Sequence, residues 1–445
     1  MSALALLVHA QPDATVAWRC GQAITRARML ADIRHLARVL PRGGHLLNAC
    51  TDRYRFAVGF AAGVLSGCTS LLPSTLTEPV IEYLRTVAAD TVLLAEAGTV
   101  VPGALPRIDY PDDAAPEPDA GPVPLIEAGR CVARVFTSGS TGLPVPHDKS
   151  WGALHHNIRT GARQLGLAAG GCALLGTVPP QHMYGLESTV LLALLGGHAL
   201  VAERPFYPAD VAAALAALPA PRVLVTTPLH LRALLGTGQA LAPLACLLSA
   251  TAPLAHEMAV EAEAAYDAPL LEIYGSTESG QIATRRSART PAWTLFPELR
   301  LDERNGRTTV AGGHVGADTL LGDRIERLPD GRFLLGPRDA DQVNIAGKRA
   351  SLQYLNALLG AIPGVEDGTF FLPEPLPGAP VTRLAALVVA APSVRETLLT
   401  ALARHLDPVF LPRPLLYVDA LPRNATGKLP RAACLELLAR HRSVT

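Results

Sequence analysis

The stretch Ala133-Arg-Val-Phe136-Thr-Ser-Gly-Ser-Thr-Gly142 joins a short apolar run to a loop of glycines and hydroxyl side chains. Such a run before a Gly-rich turn predicts a β-strand, at 133–136, that ends in a tight loop. Glycines let the backbone curl so that successive N–H groups face inward, and the hydroxyls add donors around a phosphate. The loop lacks the Gly-Lys-Ser/Thr ending of a Walker loop, and a plain Ser/Gly surface loop is the alternative. The candidate phosphate-binding residues are Thr137, Ser138, Gly139, Ser140, Thr141 and Gly142.

Strand-like and helix-like segments alternate on both sides of this loop. The predicted helices begin with 24–40 and 55–65, and the predicted strands are 45–49, 69–72, 133–136, 173–177, 222–226, 246–249 and 270–273. This alternation is typical of βαβ units in a parallel sheet. Ligands bind beyond the carboxyl ends of such strands, so the loops after Phe136, Thr177, Ser249 and Ile273 are expected to converge on one crevice.

The last third of the chain has a different pattern. Turn signals at Asn305-Gly306 and Asp330-Gly331 predict hairpins of a small antiparallel unit between 293 and 335. The remaining residues predict a separate α+β module. We therefore expect two domains, 1–337 and 338–445.

The composition is that of a globular protein. The 445 residues are 49% hydrophobic and 18% charged, with zero formal net charge, which gives no electrostatic reason to expect nucleic acid as a partner. The longest apolar stretch, 189–202, is interrupted by Gly196, Gly197 and His198 and is too short for a membrane span. Seven scattered cysteines without a Cys-x-x-Cys pair predict buried thiols in a reducing cytoplasm.

Lysine is rare in this chain. Only Lys149, Lys348 and Lys428 occur among 39 basic Lys and Arg residues. Lysine is a slim point charge and arginine a broad planar fork, so retained lysines mark places where a guanidinium does not fit. Lys149 and Lys428 each close a Gly-containing polar segment, which favours anion sites. The alternative is that these lysines lie on solvated loops.

A second motif, Glu272-Ile-Tyr274-Gly-Ser-Thr277-Glu278, also follows a predicted strand. Tyr274 offers a face for a planar base, Thr277 a hydroxyl for a phosphate, and Glu278 a hard oxygen ligand for magnesium. A structural turn that starts a helix is the alternative.

Two further constellations lie nearer the C-terminus. The carboxylate of Asp323 could accept two ribose hydroxyls, and the guanidinium of Arg338 could hold a phosphate or ribose oxygen. Ordinary hairpin charges are the alternative there. The segment Pro422-Arg-Asn-Ala-Thr-Gly-Lys428 places a lysine on a tight turn, where a moving domain could deliver it to a site on the first domain. By itself this segment also fits a solvated loop.

Together, and in this order, the four constellations resemble the adenylate-forming superfamily: acyl- and aryl-CoA synthetases, stand-alone acyl-carrier-protein ligases and the adenylation domains of peptide synthetases. The resemblance covers nearly the whole chain. It implies an α/β fold with a large N-terminal domain of two α/β sheet subdomains and a small β-barrel. It also implies a smaller, mobile α+β C-terminal lid domain.

The resemblance implies ATP and Mg²⁺ as cofactors and a role for each matching residue. Tyr274 is expected near adenine, Thr277 at the α-phosphate, Glu278 on magnesium, Asp323 on ribose, and Lys428 as the catalytic lysine, with Thr277 and Glu278 also counted as catalytic. The full set of implied nucleotide-binding residues is Thr137, Ser138, Gly139, Ser140, Thr141, Gly142, Lys149, Tyr274, Gly275, Ser276, Thr277, Asp323 and Arg338.

This chain departs from the family pattern at two places. The family's Gly-Arg-x-Asp-Asp hinge appears as Pro337-Arg-Asp-Ala-Asp341, with Ala340 where the pivoting Asp is expected. The family's Gly-Gly-Ala-Pro loop beside adenine appears as Ala250-Thr-Ala-Pro253, so that Thr251 narrows that wall of the substrate site. Lys348 lies at a position that, in the family, lines the channel through which pantetheine enters, and we interpret this residue as structural.

The acid substrate is suggested by the segment Pro179-Pro-Gln-His-Met-Tyr-Gly-Leu-Glu187. His182 and Tyr184 resemble the gate near the acid pocket of acyl- and aryl-acid ligases. Domains that activate amino acids carry an Asp there, and none is present, so an acid without an amino group is favoured. A structural role for His182 is the alternative.

The resemblance implies an ATP-dependent acid–thiol ligase that forms an acyl adenylate and transfers the acyl group to the phosphopantetheine thiol of an acyl carrier protein. The compact chain and the 274–286 stretch are similar to small ligases of aryl-polyene pathways, so an aromatic acid such as 4-hydroxybenzoate, or a fatty acid, is the expected substrate. Free coenzyme A is the alternative acceptor. A non-catalytic nucleotide-binding homologue is the alternative from another class.

Overall fold

The computed structural model describes residues 2–73, 75–111, 117–138, 144–304, 307–338, 342–345, 348–373, 383–395, 397–424 and 427–442. Contacts divide the chain into two compact units, one of residues 1–302 and 309–319, the other of residues 303–308 and 320–445. The predicted loop residues 139–142, the hinge residue Ala340 and the turn Asn305-Gly306 lie outside the described residues.

The strands follow the predicted alternation. They are β1 Ala3–Ala5, β2 Thr15–Arg19, β3 Gln22–Thr25, β4 His45–Asn48, β5 Thr69–Leu72, β6 Thr91–Ala95, β7 Arg107–Asp109, β8 Leu125–Glu127, β9 Cys131–Ser138, β10 Pro144–Ser150, β11 Ala173–Gly176, β12 Ala199–Val201, β13 Arg222–Thr226, β14 Cys246–Ser249, β15 Leu270–Ser276, β16 Gly280–Arg285, β17 Thr294–Leu295, β18 Leu299–Arg304, β19 Arg307–Gly312, β20 Val315–Leu320, β21 Asp323–Arg327, β22 Phe333–Arg338, β23 Gln342–Ile345, β24 Lys348–Ser351, β25 Val365–Phe371, β26 Ala385–Ala390 and β27 Leu415–Tyr417.

The helices lie between these strands. They are α1 Arg26–Val39, α2 Arg53–Ser66, α3 Glu78–Val87, α4 Trp151–Gln164, α5 Met183–Gly185, α6 Leu192–Gly196, α7 Pro208–Ala216, α8 Pro228–Gly236, α9 His256–Tyr266, α10 Leu352–Gly360, α11 Pro392–Arg395, α12 Leu398–Ala403 and α13 Arg431–Arg442. A π-helical stretch, Leu186–Leu191, connects α5 and α6. None of the helices in the described ranges is long and apolar enough to cross a membrane.

Two mixed sheets are the largest in the described part of the first unit. A six-stranded sheet has the order β10-β9-β5-β4-β6-β7, and a nine-stranded sheet has the order β17-β16-β15-β14-β13-β11-β12-β2-β3. In the nine-stranded sheet, β15, β14, β13, β11, β12 and β2 are parallel neighbours. The prediction of two α/β sheet subdomains is confirmed.

The cores follow the two-residue period of the strands. In β13, Val223 and Val225 contribute to the core that both sheets share, whereas Leu224 faces the core under α7, α8 and α9. In β4, Leu46 joins the shared core and Leu47 packs on the other face of the six-stranded sheet. Both faces of each sheet are therefore covered, as expected for parallel strands made of continuous apolar runs.

The predicted small β-barrel is wrong for the described residues. In place of a closed barrel, β18, β19 and β20 form a three-stranded sheet, and β21 pairs with β22 separately. The turn predicted at Asp330-Gly331 does connect β21 and β22, which pair antiparallel, and Gly331 has a φ of 84°. Five cysteines are buried, but Cys20 is exposed and Cys131 is half-buried, so the prediction of buried thiols was wrong for these two.

The second unit contains the predicted α+β module. Its largest sheet has the order β25-β26-β27, and its apolar face packs against α10 and α12 through Leu355, Leu359 and Leu398. The strand pair β21 and β22 groups with this module rather than with the residues before 320. The boundary at 337 and 338 remains a prediction.

Candidate active site

The second motif lies on a tight hairpin of the nine-stranded sheet. Strand β15 runs through Tyr274 to Ser276, and β16 returns antiparallel from Gly280. A β-carbon on Gly275 would lie 2.0 Å from the carbonyl oxygen of Gly280, so only glycine allows this approach. The alternative of a helix start is therefore wrong, and Thr277 and Glu278 are presented at the tip of a hairpin.

Reciprocal hydrogen bonds close the hairpin tip. The backbone N–H of Ser276 donates to Oγ of Ser279 at 3.1 Å, and the backbone N–H of Ser279 donates to Oγ of Ser276, also at 3.1 Å. Both serines are thereby committed to the turn. Glu278 keeps its carboxylate at the surface, with 36% of the side chain exposed.

The antiparallel pair of β9 and β10, called here the phosphate-loop hairpin because it flanks the predicted loop 137–142, lies beside this tip. On β10, the ammonium of Lys149 donates to the backbone carbonyl of Glu278 at 2.6 Å. Nε2 of His147 lies 3.7 Å from Oε1 of Glu278 and 2.9 Å from Oγ1 of Thr137. The two motifs are therefore brought together although they belong to different sheets.

His147 was not identified from the sequence. It is two residues before Lys149 on one strand, and residues at i and i+2 face the same side, so strand alternation could have revealed it. Burial lowers the pKa of His147, the charge of Lys149 lowers it further, and the nearby carboxylate of Glu278 opposes these effects. A neutral imidazole beside a carboxylate follows from this balance.

A buried acid supports the same region. Glu187, in the π-helical stretch, is 3% exposed and accepts a hydrogen bond of 2.7 Å from Nδ2 of Asn157. Burial raises the pKa of Glu187, while the charge of Lys149 and hydrogen bonds from Gln281 and Asn157 oppose this rise and favour the carboxylate. Glu187 is the last residue of the gate segment 179–187, but its role was not predicted.

Tyr274 is held in an aromatic and ionic cluster. Its ring lies 5.5 Å from that of Trp293, and the guanidinium of Arg285 lies 4.4 Å above the ring of Trp293. Arg285 also forms an ion pair of 2.5 Å with Glu272, which is buried. Burial raises the pKa of Glu272, and the charge of Arg285 opposes the rise.

The predicted gate residues lie where β11 and β13 end. His182 precedes α5, and Tyr184 is buried, with its hydroxyl donating to the carbonyl of Thr226 at 3.1 Å. Burial raises the pKa of Tyr184, which keeps the phenol neutral. Oγ1 of Thr177 is 3.2 Å from Oγ1 of Thr226, so the hydroxyls of these two threonines lie next to the contact that Tyr184 makes with Thr226.

Thr251 has a strained backbone. Its φ is 79°, in the left-handed region that β-branched residues avoid. The residue follows β14, at the position that the family pattern gives to glycine. Strain of this kind concentrates at functional sites.

Of the four loops expected to converge, three follow the parallel strands β11, β14 and β15 of the nine-stranded sheet. The fourth follows β9 in the six-stranded sheet, and the contacts of β10 with Glu278 bring that hairpin to the tip of the second motif.

The remaining predicted residues belong to the second unit. Asp323 and Arg338 are register partners on β21 and β22, so the backbone places them opposite each other. Lys428 is exposed and follows Gly427, whose φ is 77°. The turn is closed by the backbone N–H of Lys428, which donates to Oδ1 of Asn424 at 2.9 Å.

The hairpin tip has the chemistry of a magnesium site. The carboxylate of Glu278 is a hard oxygen donor that is partly exposed to solvent, and Thr277 supplies a neighbouring hydroxyl. Hard cations prefer such oxygen ligands. These residues therefore fit Mg²⁺ bound together with a nucleotide.

Comparison with known proteins decides the family. Residues 7–309 match the model of the AMP-binding enzymes. This chain belongs to the AMP-binding enzyme family. The resemblance to adenylate-forming enzymes is thereby confirmed, as is the expectation of an AMP-forming ligase.

Relatives in this family include two CoA ligases. The chain is 34% identical over 297 residues to a 4-coumarate–CoA ligase of Rhodobacter capsulatus, covering 66% of this chain and 73% of the relative. It is 26% identical over 377 residues to a 4-chlorobenzoate–CoA ligase of Arthrobacter sp., covering 73% of this chain and 70% of the relative.

Solved structures of this family share the fold. An o-succinylbenzoate coenzyme A synthetase from Bacillus subtilis in complex with AMP aligns with a TM-score of 0.79 at 19% identity, covering 95% of each chain. ATP-bound MatB from Rhodopseudomonas palustris aligns with a TM-score of 0.79 at 19% identity, covering 96% of each chain.

Proposed function

We propose that this AMP-binding enzyme activates an aromatic carboxylic acid with ATP and transfers the acyl group to a phosphopantetheine thiol. One observation carries the proposal: the contacts of His147 and Lys149 with Glu278, which unite the phosphate loop with the hairpin that presents Thr277 and Glu278. A nucleotide phosphate and its magnesium need these two segments together.

Two reaction steps follow. An oxygen of the acid attacks the α-phosphorus of ATP, the bond to pyrophosphate breaks, and an acyl adenylate forms. The thiol then loses its proton to solvent, its sulfur attacks the acyl carbon, and the bond between that carbon and the phosphate oxygen breaks, so that AMP leaves. Bound magnesium would supply positive charge to the phosphate oxygens, and Glu278 is the residue proposed to hold it.

The first step joins two anions, so cations of the protein lower its barrier. A unit charge about 4 Å away contributes roughly 4 kcal/mol in a partly solvated site. We assign this role to Lys428, while Tyr274 contacts the adenine, and Asp323 and Arg338 contact the ribose. Thr137 and its loop supply donors to the phosphates.

The acid is expected to be aromatic and to lack an amino group. The gate segment of His182 and Tyr184 contains no Asp that could pair with an α-ammonium. The two relatives named above act, by their names, on 4-coumarate and 4-chlorobenzoate, both aromatic acids. These points support 4-hydroxybenzoate as the first candidate, with fatty acids as the comparison.

The acceptor is proposed to be the phosphopantetheine of an acyl carrier protein. The compact chain and its 274–286 stretch favour this thiol, and the free cysteines favour a cytoplasmic setting. Free coenzyme A is the second candidate, because both relatives are named CoA ligases.

Acid-dependent pyrophosphate release tests the proposal. The purified protein is incubated with ATP, Mg²⁺ and one acid from a panel of benzoates, cinnamates and fatty acids. An aromatic acid should stimulate release, whereas ATP binding without stimulation by any acid would indicate a non-catalytic nucleotide-binding protein. Thioester formation on a phosphopantetheinylated carrier, compared with equimolar coenzyme A, then identifies the acceptor.

A further inference from the structure

Lys149 is buried, which is not the position expected of a residue that contacts a bound phosphate. The side chain extends from β10 into the interior, is 8% exposed, and ends on the backbone carbonyl of Glu278 at 2.6 Å. That hydrogen bond joins the phosphate-loop hairpin to a residue 129 positions later in the chain. A buried ammonium has lost most of its hydration and needs other compensation.

Glu187 provides that compensation. Burial lowers the pKa of Lys149, and the charges of Glu187 and then of Glu278 oppose this fall and favour the ammonium. The acid is 3% exposed and lies in a π-helical stretch, a local deformation that is frequent at functional sites. Asn157 fixes the carboxylate from α4 with a hydrogen bond of 2.7 Å.

The same acid also supports the far end of the hairpin tip. A side-chain and a backbone hydrogen bond connect Glu187 with Gln281, the second residue of β16. A β-carbon on Gly280 would lie 2.3 Å from Nδ2 of Asn157 and 3.1 Å from Oε1 of Glu187. The hairpin backbone therefore rests directly on this buried polar group.

We propose that Lys149 is a positioning residue: it fixes the backbone of Glu278, and thereby the carboxylate that faces Mg·ATP, with Glu187 as its buried counter-charge. This role differs from the direct phosphate contact expected from the sequence. It rests on the proposed function only in taking Glu278 as the residue that holds magnesium.

The two contacts of Lys149 have different effects. The charge of Glu187 stabilises the ammonium in the interior, whereas the hydrogen bond from Lys149 to the backbone of Glu278 fixes the position of the Glu278 carboxylate. Replacing one member of a buried charge pair destabilises a protein strongly, and replacing both is often tolerated. Stability and nucleotide affinity are therefore expected to respond differently to single and double replacements.

Three variants of the full-length protein test this: Lys149→Met, Glu187→Gln, and the double variant. Each is measured for Tm and, by calorimetry, for the Kd of Mg·ATP and of AMP in EDTA. Lys149→Met should lower Tm and raise the Kd of Mg·ATP about tenfold, the size expected from losing one hydrogen bond to a charged group. Its Kd for AMP in EDTA should change less than about twofold, because no metal is involved.

The double variant separates positioning from folding. It buries no net charge, so its Tm should recover, while its Kd for Mg·ATP should stay raised about tenfold. Glu187→Gln keeps the lysine, and its amide can still form hydrogen bonds with Asn157 and Gln281, so it should lower Tm with a change in Mg·ATP affinity below about threefold.

Several results would overturn the proposal. One is wild-type Mg·ATP affinity in the double variant, and another is an equal loss of AMP and Mg·ATP affinity in Lys149→Met. A tenfold loss of Mg·ATP affinity in Glu187→Gln would show that affinity simply follows stability. These are binding measurements without an acid or a thiol, so failure of the proposed ligase reaction would not affect them.

Discussion

Nε2 of His147 lies 2.9 Å from Oγ1 of Thr137, although the phosphate loop separates the two residues in the chain. The pair spans β9 and β10 at the base of that loop, and His147 also faces the carboxylate of Glu278 at 3.7 Å. The imidazole thus connects the first residue of the phosphate loop to the proposed metal-holding acid.

Replacing His147 should weaken nucleotide binding. His147→Ala removes the hydrogen bond with Thr137 and the electrostatic contact with Glu278, and it is expected to raise the KM for ATP about tenfold, the size expected when one partner of a partly buried hydrogen bond is removed. His147→Gln retains an amide and should show a smaller rise. Acid-dependent pyrophosphate exchange at varied ATP concentration measures both. An unchanged KM in the alanine variant would show that this bridge does not act on the nucleotide.

The strain at Thr251 can be measured as a difference between two variants. At an ordinary φ, alanine is more stable than glycine by about 0.5–1 kcal/mol. At the φ of 79° seen here the order should reverse, with Thr251→Gly more stable than Thr251→Ala by roughly 1 kcal/mol. Both variants remove the threonine side chain, so the comparison isolates the backbone. Denaturant unfolding of the two proteins gives the answer, and the ordinary order would contradict the strain.

Local patterns predicted much of the fold, and the reason is visible in β11 and β13. Each is a short apolar run bounded by polar or Gly/Pro residues, so the expected strands at 173–177 and 222–226 match Ala173–Gly176 and Arg222–Thr226. The expected barrel failed because strand closure depends on pairing between distant strands, which local patterns do not encode.

The residues of the candidate site could be predicted only where neighbouring residues in one motif have side chains suited to bind a phosphate or a metal. Thr137, Thr277 and Glu278 were predicted as site residues from hydroxyls and a carboxylate beside glycines, and their roles remain predictions. Glu187 and His147 were missed, because their importance comes from contacts across the two sheets rather than from neighbouring residues. The φ of Thr251 likewise depends on the turn that tertiary packing imposes after β14.

His314 should make stability depend on pH. The residue lies between β19 and β20, with its ring 6.3 Å from that of Phe296. Burial, and then the charges of His156 and Lys149, lower its pKa from 6.5 to about 4. The unfolded chain therefore takes up a proton more readily, so the contribution of His314 is complete above pH 6.5 and is lost as the pH falls toward 4.

The expected loss through His314 by pH 5 is about 1–2 kcal/mol, after allowance for partial exposure of the ring. Tm of the wild type should therefore fall between pH 7 and pH 5, and His314→Gln should flatten part of this decrease. His405 is exposed, so His405→Gln is the control and should keep the wild-type slope. Equal slopes for His314→Gln and the wild type would contradict the assignment.

Lys428 is carried on a turn that is well suited to present a cation. Arg423 forms an ion pair of 2.7 Å with Asp367 and donates to the carbonyl of Gly427 at 2.9 Å, so Arg423 and Gly427 are anchored to β25. The lysine itself is exposed. In the proposed reaction, an anchored turn would limit the entropy lost when the ammonium meets the reacting oxygens.

Replacing this lysine should slow adenylation far more than it weakens ATP binding. Lys428→Ala is expected to reduce acid-dependent pyrophosphate exchange by about two to three orders of magnitude, as for loss of one preorganised donor at developing charge. The Kd for ATP should change by less than about threefold, because the attraction counts mainly while the two anions join. Arg404→Ala removes an exposed cation from the same unit and serves as the matched control. Exchange at the control rate in Lys428→Ala would exclude this lysine from the first step, because the reaction would then proceed equally well without its charge.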